Sequence, residues 1–171
     1  MKLEIERKFL LKSIPEKLPD EKIQIEQWYC KNYHGTWERV RKCDSNTNGV
    51  YYVHTIKKTV SKGVNMEDEK TISQKEYSEF IKNCKTSSNE SRFIKKDRWV
   101  YQQDQLKWEV DIFHSGHHLV VAEIEIPKKT FKVEIPNFIK EKLLLEVTGL
   151  KQFSNKNLSN IIIKTSKSDI I

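Results

Sequence analysis

The stretch Glu4-Ile5-Glu6-Arg7-Lys8, close to the start of the chain, decides the fold. In an extended strand successive side chains point to opposite faces, so Glu4, Glu6 and Lys8 lie on the same face. The opposite face is mainly apolar. Such a strand could simply turn its charges to water, but the same arrangement recurs along most of the chain.

The recurring segments place charged side chains two residues apart. Period-two alternation predicts strands, and the apolar faces of these strands need cover of their own. A barrel meets both requirements if its apolar side lies beneath helices and its charged side lines a central channel. The segments are Arg39 with Arg41, Thr55 with Lys57, Glu67 with Glu69, Lys96 with Arg98, Glu109 with Asp111, and Glu123 with Glu125.

The same patterning predicts eight strands and three helices. Ser73 and Glu76 have the spacing of a capping box, which predicts a helix from there to about Cys84. Pro136 is suited to the first turn of a short helix that ends near Leu144. A last helix is predicted near residues 155–164. The strands are predicted near residues 2–12, 22–33, 36–43, 50–60, 64–72, 92–102, 105–114 and 118–127, with a hairpin turn at Ser115-Gly116.

Length and composition favour one domain that spans residues 1–171. The chain has 171 residues, of which 37% are hydrophobic and 32% charged, and this length is typical of a single core. No apolar run approaches the ~20 residues of a membrane span, and no signal-peptide pattern opens the sequence. We therefore expect a cytoplasmic protein that does not associate with membranes.

The cysteines and the net charge further limit the kinds of site and ligand that the sequence predicts. Cys30, Cys43 and Cys84 are odd in number and form no C-x-x-C motif, so we expect reduced thiols without a disulfide or a zinc site. The formal net charge of +7 favours an anionic ligand. Charge alone does not choose among polyphosphate, nucleotide and nucleic acid.

The inward charges predict a site for a metal ion and a phosphate chain. Carboxylates packed into one channel would repel one another unless cations neutralise them, and hard divalent ions prefer such oxygen ligands. Arginine matches phosphate oxygens with two parallel hydrogen bonds, while lysine supplies a compact charge. The predicted inward carboxylates are Glu4, Glu6, Glu67, Glu69, Glu109, Asp111, Glu123 and Glu125, and the inward cations are Lys8, Arg39, Arg41, Lys57, Lys96 and Arg98.

Taken together, these elements resemble the CYTH, or triphosphate tunnel metalloenzyme, superfamily over about residues 2–160. Glu4-x-Glu6-x-Lys8 matches the E-x-E-x-K signature of that family, and the later charged pairs follow in the same order. The resemblance implies an eight-stranded antiparallel tunnel with helices outside. It also implies that the tunnel binds a triphosphate in a basic half and Mg²⁺ or Mn²⁺ in an acidic half.

This resemblance implies a metal-dependent triphosphatase, with inorganic tripolyphosphate as the first choice of substrate and nucleoside triphosphates as others. Two alternatives stay open: a class IV adenylate cyclase, and a non-catalytic module that binds polyphosphate or RNA. We expect a monomer or homodimer that does not act on nucleic acid. Expected catalytic residues are Glu4, Glu6 and Lys8; expected metal ligands are the eight inward carboxylates; and expected substrate ligands are Lys8, Arg39, Arg41, Lys57, Lys96, Arg98 and Lys151.

Two positions near the ends of the tunnel are less regular. Short bacterial members of the family often have an arginine where this chain has Gln152, so Lys151 is the expected substitute. Trp37 shares a face with Arg39 and Arg41, which predicts that its ring lies at a tunnel mouth. Trp99 and Trp108 alternate away from the charged pairs, so we expect them in the core beneath the helices.

Overall fold

The barrel is closed, and its strands are antiparallel throughout. The structure is a computed structural model that describes residues 1–32, 34–87, 91–114 and 119–159. The strands are β1 (Lys2–Leu11), β2 (Glu21–Lys31), β3 (Trp37–Ser45), β4 (Gly49–Ser61), β5 (Val64–Ile72), β6 (Ser91–Gln103), β7 (Leu106–Phe113), β8 (Val120–Glu125) and β9 (Leu143–Glu146). Within the described residues the order is β5-β4-β3-β2-β6-β7-β8-β1, and β1 closes the ring by pairing with β5. The predicted eight-stranded α+β barrel is therefore confirmed.

The ninth strand exists because the barrel is staggered where it closes. β5 pairs with only the first part of β1, up to the pair Ile5 and Val64. The rest of β1 pairs with β8 on one side, and its other edge would be left without partners. Unpaired backbone groups are costly, and β9 satisfies them by pairing Leu143 to Glu146 with Phe9 to Leu11.

The predicted short helix from Pro136 to Leu144 is wrong in its second half for this reason. The structure has a helix α2 only over Asn137–Lys140, after which the chain extends into β9. Pairing with the open edge of β1 outweighs the local tendency to continue the helix. Residues 155–159 are helical, in agreement with the start of the predicted last helix. Its remainder and the turn at Ser115-Gly116 lie outside the described residues.

Helix α1 (Gln74–Ser87) begins with the predicted capping box. The Ser73 hydroxyl accepts a hydrogen bond from the Glu76 backbone N–H at 3.2 Å, and the Glu76 carboxylate accepts one from the Ser73 backbone N–H at 2.7 Å. These reciprocal bonds satisfy backbone donors that a helix start leaves open. The buried side of α1 contacts β4, where the ring of Tyr77 packs against Tyr52 at 5.0 Å between centroids.

The largest apolar core lies outside the barrel wall. It joins the outward faces of β1, β6, β7 and β8 to the segment that contains α2. Trp108 is fully buried in it and Trp99 packs against it, as predicted for these two side chains. The inward faces are consequently left for polar chemistry along the middle of the barrel.

The inward faces also contain apolar residues, which the sequence pattern did not predict. Ile23 and Ile25 lie opposite Arg98 and Lys96 in the pairing of β2 with β6, so they share the inward face. They form one cluster with Cys43. A second inward cluster packs Leu158 of the C-terminal helix against the barrel. On β6, Lys96 and Arg98 lie between Ile94 of one cluster and Val100 of the other.

The expectation of three reduced thiols is wrong for two of them. Cys30 at the end of β2 and Cys84 in α1 form a disulfide, with their Cα atoms 5.7 Å apart. Cys43 is a free and buried thiol. Disulfides persist mainly in oxidising compartments, so the cysteines no longer argue for the cytoplasm, and the cytoplasmic location stays a prediction. No helix in the described part of the chain is long and apolar enough to cross a membrane.

We expect one titratable thiol in the denatured, unreduced protein, and three after reduction. The bridge closes a separation of 54 residues, for which the chain-entropy relation gives a stabilisation of about 4 kcal/mol. Reduction should therefore also lower the melting temperature. Thiol titration with and without reductant, together with thermal melts, measures both effects. Three thiols in the unreduced protein would contradict the disulfide.

Candidate active site

A cavity of about 1940 Å³ opens inside the barrel and brings most of the predicted site residues together. Two predicted residues are not on its wall: the side chains of Lys96 and Asp111 are fully buried. The predicted residues that line the cavity are Glu4, Glu6, Lys8, Arg39, Arg41, Lys57, Glu67, Glu69, Arg98, Glu109, Glu123, Glu125 and Lys151.

Glu4 and Glu6 of β1 share one cation. The Lys57 ammonium forms an ion pair with Glu4 and lies 3.4 Å from Oε2 of Glu6. The Asn65 amide also approaches Glu4, at 3.4 Å. Burial raises the pKa of both carboxyls. The nearby carboxylate of Glu123 raises the pKa of Glu6 further, and that of Glu67 does the same for Glu4. Lys57, together with Lys8 near Glu6, therefore does not fully compensate the negative charge at this end of β1.

The turn between β4 and β5 holds Glu6 in place through the backbone. The Glu6 N–H donates a hydrogen bond to the Gly63 carbonyl at 2.9 Å. Gly63 has a φ of +67°, and a Cβ at this position would lie 2.8 Å from the Glu6 carbonyl oxygen and from Thr148. Only glycine combines this backbone conformation with such a close approach.

Arg39 and Arg41 of β3 lie against the carboxylates of β5. Nη2 of Arg39 donates to Glu67 at 3.0 Å and to the Thr55 hydroxyl at 3.1 Å, while Arg41 pairs with Glu69. Within the described residues, the buried Nε atoms of both arginines have no hydrogen-bond acceptor. Both arginines line the cavity, and donors left without acceptors next to it fit an anion with several oxygens.

Lys8, Glu123 and Arg98 form the next group around the wall. The Lys8 ammonium lies 2.9 Å from Oε1 of Glu123 and 3.4 Å from the Phe153 carbonyl. Burial lowers the pKa of Lys8, but the carboxylates Glu123 and Glu6 outweigh that effect and raise it above the ordinary value. Burial likewise opposes ionisation of Glu123, yet Lys8 and Arg98 lower its pKa to about 2. Both groups therefore carry their charge at neutral pH.

Behind this wall, Asp111 compensates two buried cations. Arg98 donates from Nε to Oδ1 of Asp111 at 2.7 Å and from Nη2 to Oδ2 at 2.8 Å. Lys96 forms an ion pair with the same carboxylate, and its pKa is lowered by burial to about 8. Arg98 also pairs with Glu109 at the cavity surface. Asp111 thus supports the arginine that faces the cavity.

The acidic residues fit a hard divalent cation by the nature of their donor atoms. Among the residues that the structure describes, no three side chains of His, Cys, Asp or Glu converge into a preformed metal site. Their carboxylates are instead engaged by lysines and arginines. The carboxyls of Glu4 and Glu6, whose pKa is raised by burial, offer oxygen ligands that a divalent ion would stabilise in the ionised form.

At the edge of the cavity, Glu125 and Lys151 are more exposed than the other lining residues. Glu125 pairs with Lys2 at 3.0 Å, and both side chains are more than half exposed. Lys151 lies in the turn Lys151–Phe153, next to the Phe153 carbonyl that accepts from Lys8. Lys151 is therefore at the edge of the cavity, and its predicted contact with phosphate stays a prediction.

Sequence reasoning missed three polar side chains of the interior. Tyr29 accepts a hydrogen bond from the buried Gln27 amide at 2.9 Å and also interacts with Arg39. Asn65 is buried next to Glu4. The inward positions of Gln27 and Tyr29 were missed because the inward face of β2 begins with isoleucines and not with a charged pair. Asn65 precedes the charged pair of β5 by two residues, and that spacing could have identified it.

No protein-family model and no curated protein sequence matches the chain. Solved structures do resemble it. The inorganic triphosphatase NE1496 superposes with a TM-score of 0.55 at 22% identity, over 93% of this chain and 95% of that one. HpAC1 from Hippeastrum, described as having a dominant triphosphatase activity, gives 0.53 at 18% identity, over 73% of this chain and 80% of that one.

A third structure, PH1012 from Pyrococcus horikoshii OT3, gives a TM-score of 0.51 at 17% identity, over 74% of this chain and 80% of that one. At these identities the likeness concerns the fold. This chain therefore has the tunnel-barrel fold that the triphosphatase NE1496 also has.

Proposed function

We propose that this protein is a member of the triphosphate tunnel metalloenzyme superfamily that hydrolyses a phosphoanhydride bond of a linear triphosphate, with inorganic tripolyphosphate as its preferred substrate. The observation that carries the proposal is the pair Arg39 and Arg41, whose buried Nε donors lack acceptors within the described residues. They share one cavity with the acidic end of β1. Phosphoryl transfer needs this combination of positioning and charge neutralisation.

The contacts with substrate follow from the ion pairs that are already present. Each cation of the wall is held by a carboxylate, so a bound phosphate chain replaces Glu67 on Arg39 and Glu69 on Arg41. The Glu67 side chain is only 16% exposed, and a largely buried carboxylate left without a partner costs several kcal/mol, whereas Glu69 is 44% exposed and loses less. The released carboxylates could hold a divalent cation, which would offset that cost. Phosphate and metal binding are therefore coupled in this site.

Each group in the site then has a part in the hydrolysis. Mg²⁺ or Mn²⁺ held by Glu4 and Glu6, together with others of the inward carboxylates, would neutralise phosphate oxygens and lower the pKa of the attacking water. Arg39, Arg41 and Lys57 orient the phosphate chain, and Lys8 supplies a positive charge next to Glu123. Water adds to the terminal phosphorus, the bridging P–O bond breaks, and orthophosphate, pyrophosphate and a proton leave.

A substrate panel tests this proposal. We expect phosphate release from tripolyphosphate to exceed that from ATP, with little release from pyrophosphate, whose shorter chain cannot reach both the arginines and the acidic residues. EDTA should abolish the activity, and Mg²⁺ or Mn²⁺ should restore it. The measurements are phosphate release with and without chelator and, separately, cyclic AMP formed from ATP.

Each alternative has its own outcome in that panel. Undiminished turnover in EDTA would contradict the metal-dependent mechanism. Cyclic AMP and pyrophosphate as main products from ATP would favour the adenylate cyclase. Tight binding of tripolyphosphate with no product from any substrate would favour a non-catalytic binding module.

A further inference from the structure

Strand β2 places a neutral polar side chain opposite each of the two arginines of β3. Gln27 lies directly opposite Arg41 in the pairing of the two strands, and Tyr29 lies directly opposite Arg39. Directly opposed residues share a face of the sheet, with their Cβ atoms about 4.5–5.5 Å apart. Tyr29 and both arginines line the cavity, whereas Gln27 is fully buried and is not part of its lining. Gln27 is therefore placed to act on Arg41 and not on a ligand.

Arg39 uses the oxygen that lies opposite it on β2. The Tyr29 hydroxyl accepts a hydrogen bond from the Gln27 amide at 2.9 Å, and it also forms a hydrogen bond with Arg39. Burial opposes the charge of Arg39, but Tyr29 and the carboxylates of Glu67 and Glu69 outweigh burial and raise its pKa above the ordinary value. Arg39 is therefore held by a neutral oxygen of β2 together with the carboxylates of β5.

Arg41 and Gln27, by contrast, leave two complementary groups unpaired. Within the described residues, Nε of Arg41 is a buried donor without an acceptor, and Oε1 of Gln27 is a buried acceptor without a donor. Arg41 pairs instead with Glu69, whose side chain is 44% exposed. Burial and the nearby charge of Arg39 lower the pKa of Arg41. Unpaired buried polar groups are costly, and this donor and acceptor stay unpaired while Glu69 holds Arg41.

We propose that Gln27 positions Arg41 for phosphate: when a phosphate chain displaces Glu69, the guanidinium turns towards β2 and its Nε donates to Oε1 of Gln27. This inference rests on the proposed function, in which the triphosphate takes the place of Glu69 on Arg41. One hydrogen bond then pairs both unpaired groups, and the two Nη atoms remain available for phosphate oxygens. Gln27 is a positioning residue, because it acts through Arg41 and touches no ligand.

An amide suits this role because its oxygen is neutral. A carboxylate in the same place would form a buried ion pair with Arg41 and compete with phosphate for the guanidinium. An apolar side chain would leave Nε of Arg41 without an acceptor. The other end of the Gln27 amide donates to Tyr29, which fixes the orientation of the amide. Glutamine thus supplies an acceptor for Arg41 without cancelling its charge.

A double-mutant cycle between Gln27→Met and Arg41→Ala tests this coupling in the full chain. Methionine keeps the unbranched shape of glutamine and lacks the amide. We expect Gln27→Met to weaken the binding of tripolyphosphate about tenfold by calorimetry in EDTA, as the loss of one hydrogen bond to a charged group implies. In the Arg41→Ala background the same change should weaken binding by about twofold at most. Equal losses in both backgrounds, or no loss in either, would overturn the inference.

Gln27→Glu separates positioning from structural support. The new carboxylate can accept hydrogen bonds from both Arg41 and Tyr29, so its melting temperature should be at least as high as that of Gln27→Met. Tripolyphosphate should nevertheless bind about tenfold more weakly than to wild type, because the carboxylate neutralises the guanidinium. A structural role alone would make affinity follow stability. Binding as tight as that of wild type would overturn the inference, and this result can be read even if Gln27→Met does not fold.

The same two substitutions at Gln24 are the matched controls. Gln24 lies three residues earlier on β2, is exposed, and lies opposite Asp44 and Asp97 on the neighbouring strands. Neither Gln24→Met nor Gln24→Glu should change the affinity for tripolyphosphate. A loss at Gln24 as large as that at Gln27 would show that the effect does not depend on the inward face, and would overturn the inference.

Phosphate release with Mg²⁺ distinguishes a failure of the inference from a failure of the proposed function. Coupling between Gln27 and Arg41 in binding, without phosphate release by wild type, would refute hydrolysis and retain the positioning role. Phosphate release from tripolyphosphate with no coupling in the cycle would retain the proposed function and refute the positioning role.

Discussion

Glu6→Gln is expected to lower the turnover of tripolyphosphate by on the order of 10²-fold or more, comparable to the loss of a preorganised electrostatic group. The Glu6 carboxylate lies at the acidic end of β1, where Lys57 is shared with Glu4. Glutamine keeps the shape of the side chain and removes the negative charge that a divalent ion requires. Steady-state kinetics at saturating Mg²⁺ measure the effect.

The fold should tolerate Glu6→Gln. Burial raises the pKa of Glu6, which means that the folded protein disfavours its ionised form. Lys57 keeps Glu4 as its partner in the variant, so no buried cation is left alone. Thermal melts should therefore stay close to those of wild type, which separates a loss of chemistry from a loss of structure.

Glu146→Gln is the matched control for that substitution. Glu146 lies in β9 and pairs with Arg7 at 2.7 Å, on the outer side of the barrel. The substitution makes the same chemical change in β9, a strand that also pairs with β1, at a position away from the cavity. Its turnover should equal that of wild type. A fully active Glu6→Gln would show that the acidic end of β1 is structural.

Asp111→Ala is expected to lower the free energy of unfolding by about 3–5 kcal/mol, the usual cost of removing one partner of a buried ion pair. Asp111 accepts from both Lys96 and the Nε of Arg98, and its side chain is completely buried. The two cations attract it strongly enough to overcome burial and hold its pKa well below the usual range. Alanine leaves both cations without this partner.

Denaturant unfolding of Asp111→Ala and Asp97→Ala measures the difference. Asp97 lies on the neighbouring strand, and its carboxylate contacts His114 at 3.0 Å with both side chains partly exposed. Exposed pairs of this kind contribute about 0–1 kcal/mol, so Asp97→Ala should change stability little. Equal losses in both variants would contradict the burial of charge behind the cavity wall.

The alternation of the sequence predicted which residues face inward because the period of a strand is two. A shift by one residue would move a whole set of side chains to the other face, so a clear pattern determines the orientation of each strand. Glu4 and Glu6 on β1, and Arg39 and Arg41 on β3, were predicted in this way and line the cavity. The capping box at Ser73 was equally local and equally predictable.

What the pattern missed depends on which strands become neighbours and with what stagger. β9 forms because β5 leaves one edge of β1 open. The leucine-rich sequence of β9 does not by itself predict that such an edge exists. The disulfide requires α1 to fold back onto β2. The isoleucines of β2 face inward because they pack there against Cys43 and Val100 of neighbouring strands.

The sequence by itself therefore determined eight of the nine strands in the described residues, the faces of those strands and most of the charges that enter the interior. Only the tertiary structure decided how those charges are paired. Lys57 reaches Glu6 across 51 residues of chain, and Lys156 of the C-terminal helix lies 4.7 Å from the ring centroid of Trp37 on β3. Alternation within a strand follows from local backbone geometry, whereas contacts across a barrel follow from its closure and stagger, which no single segment encodes.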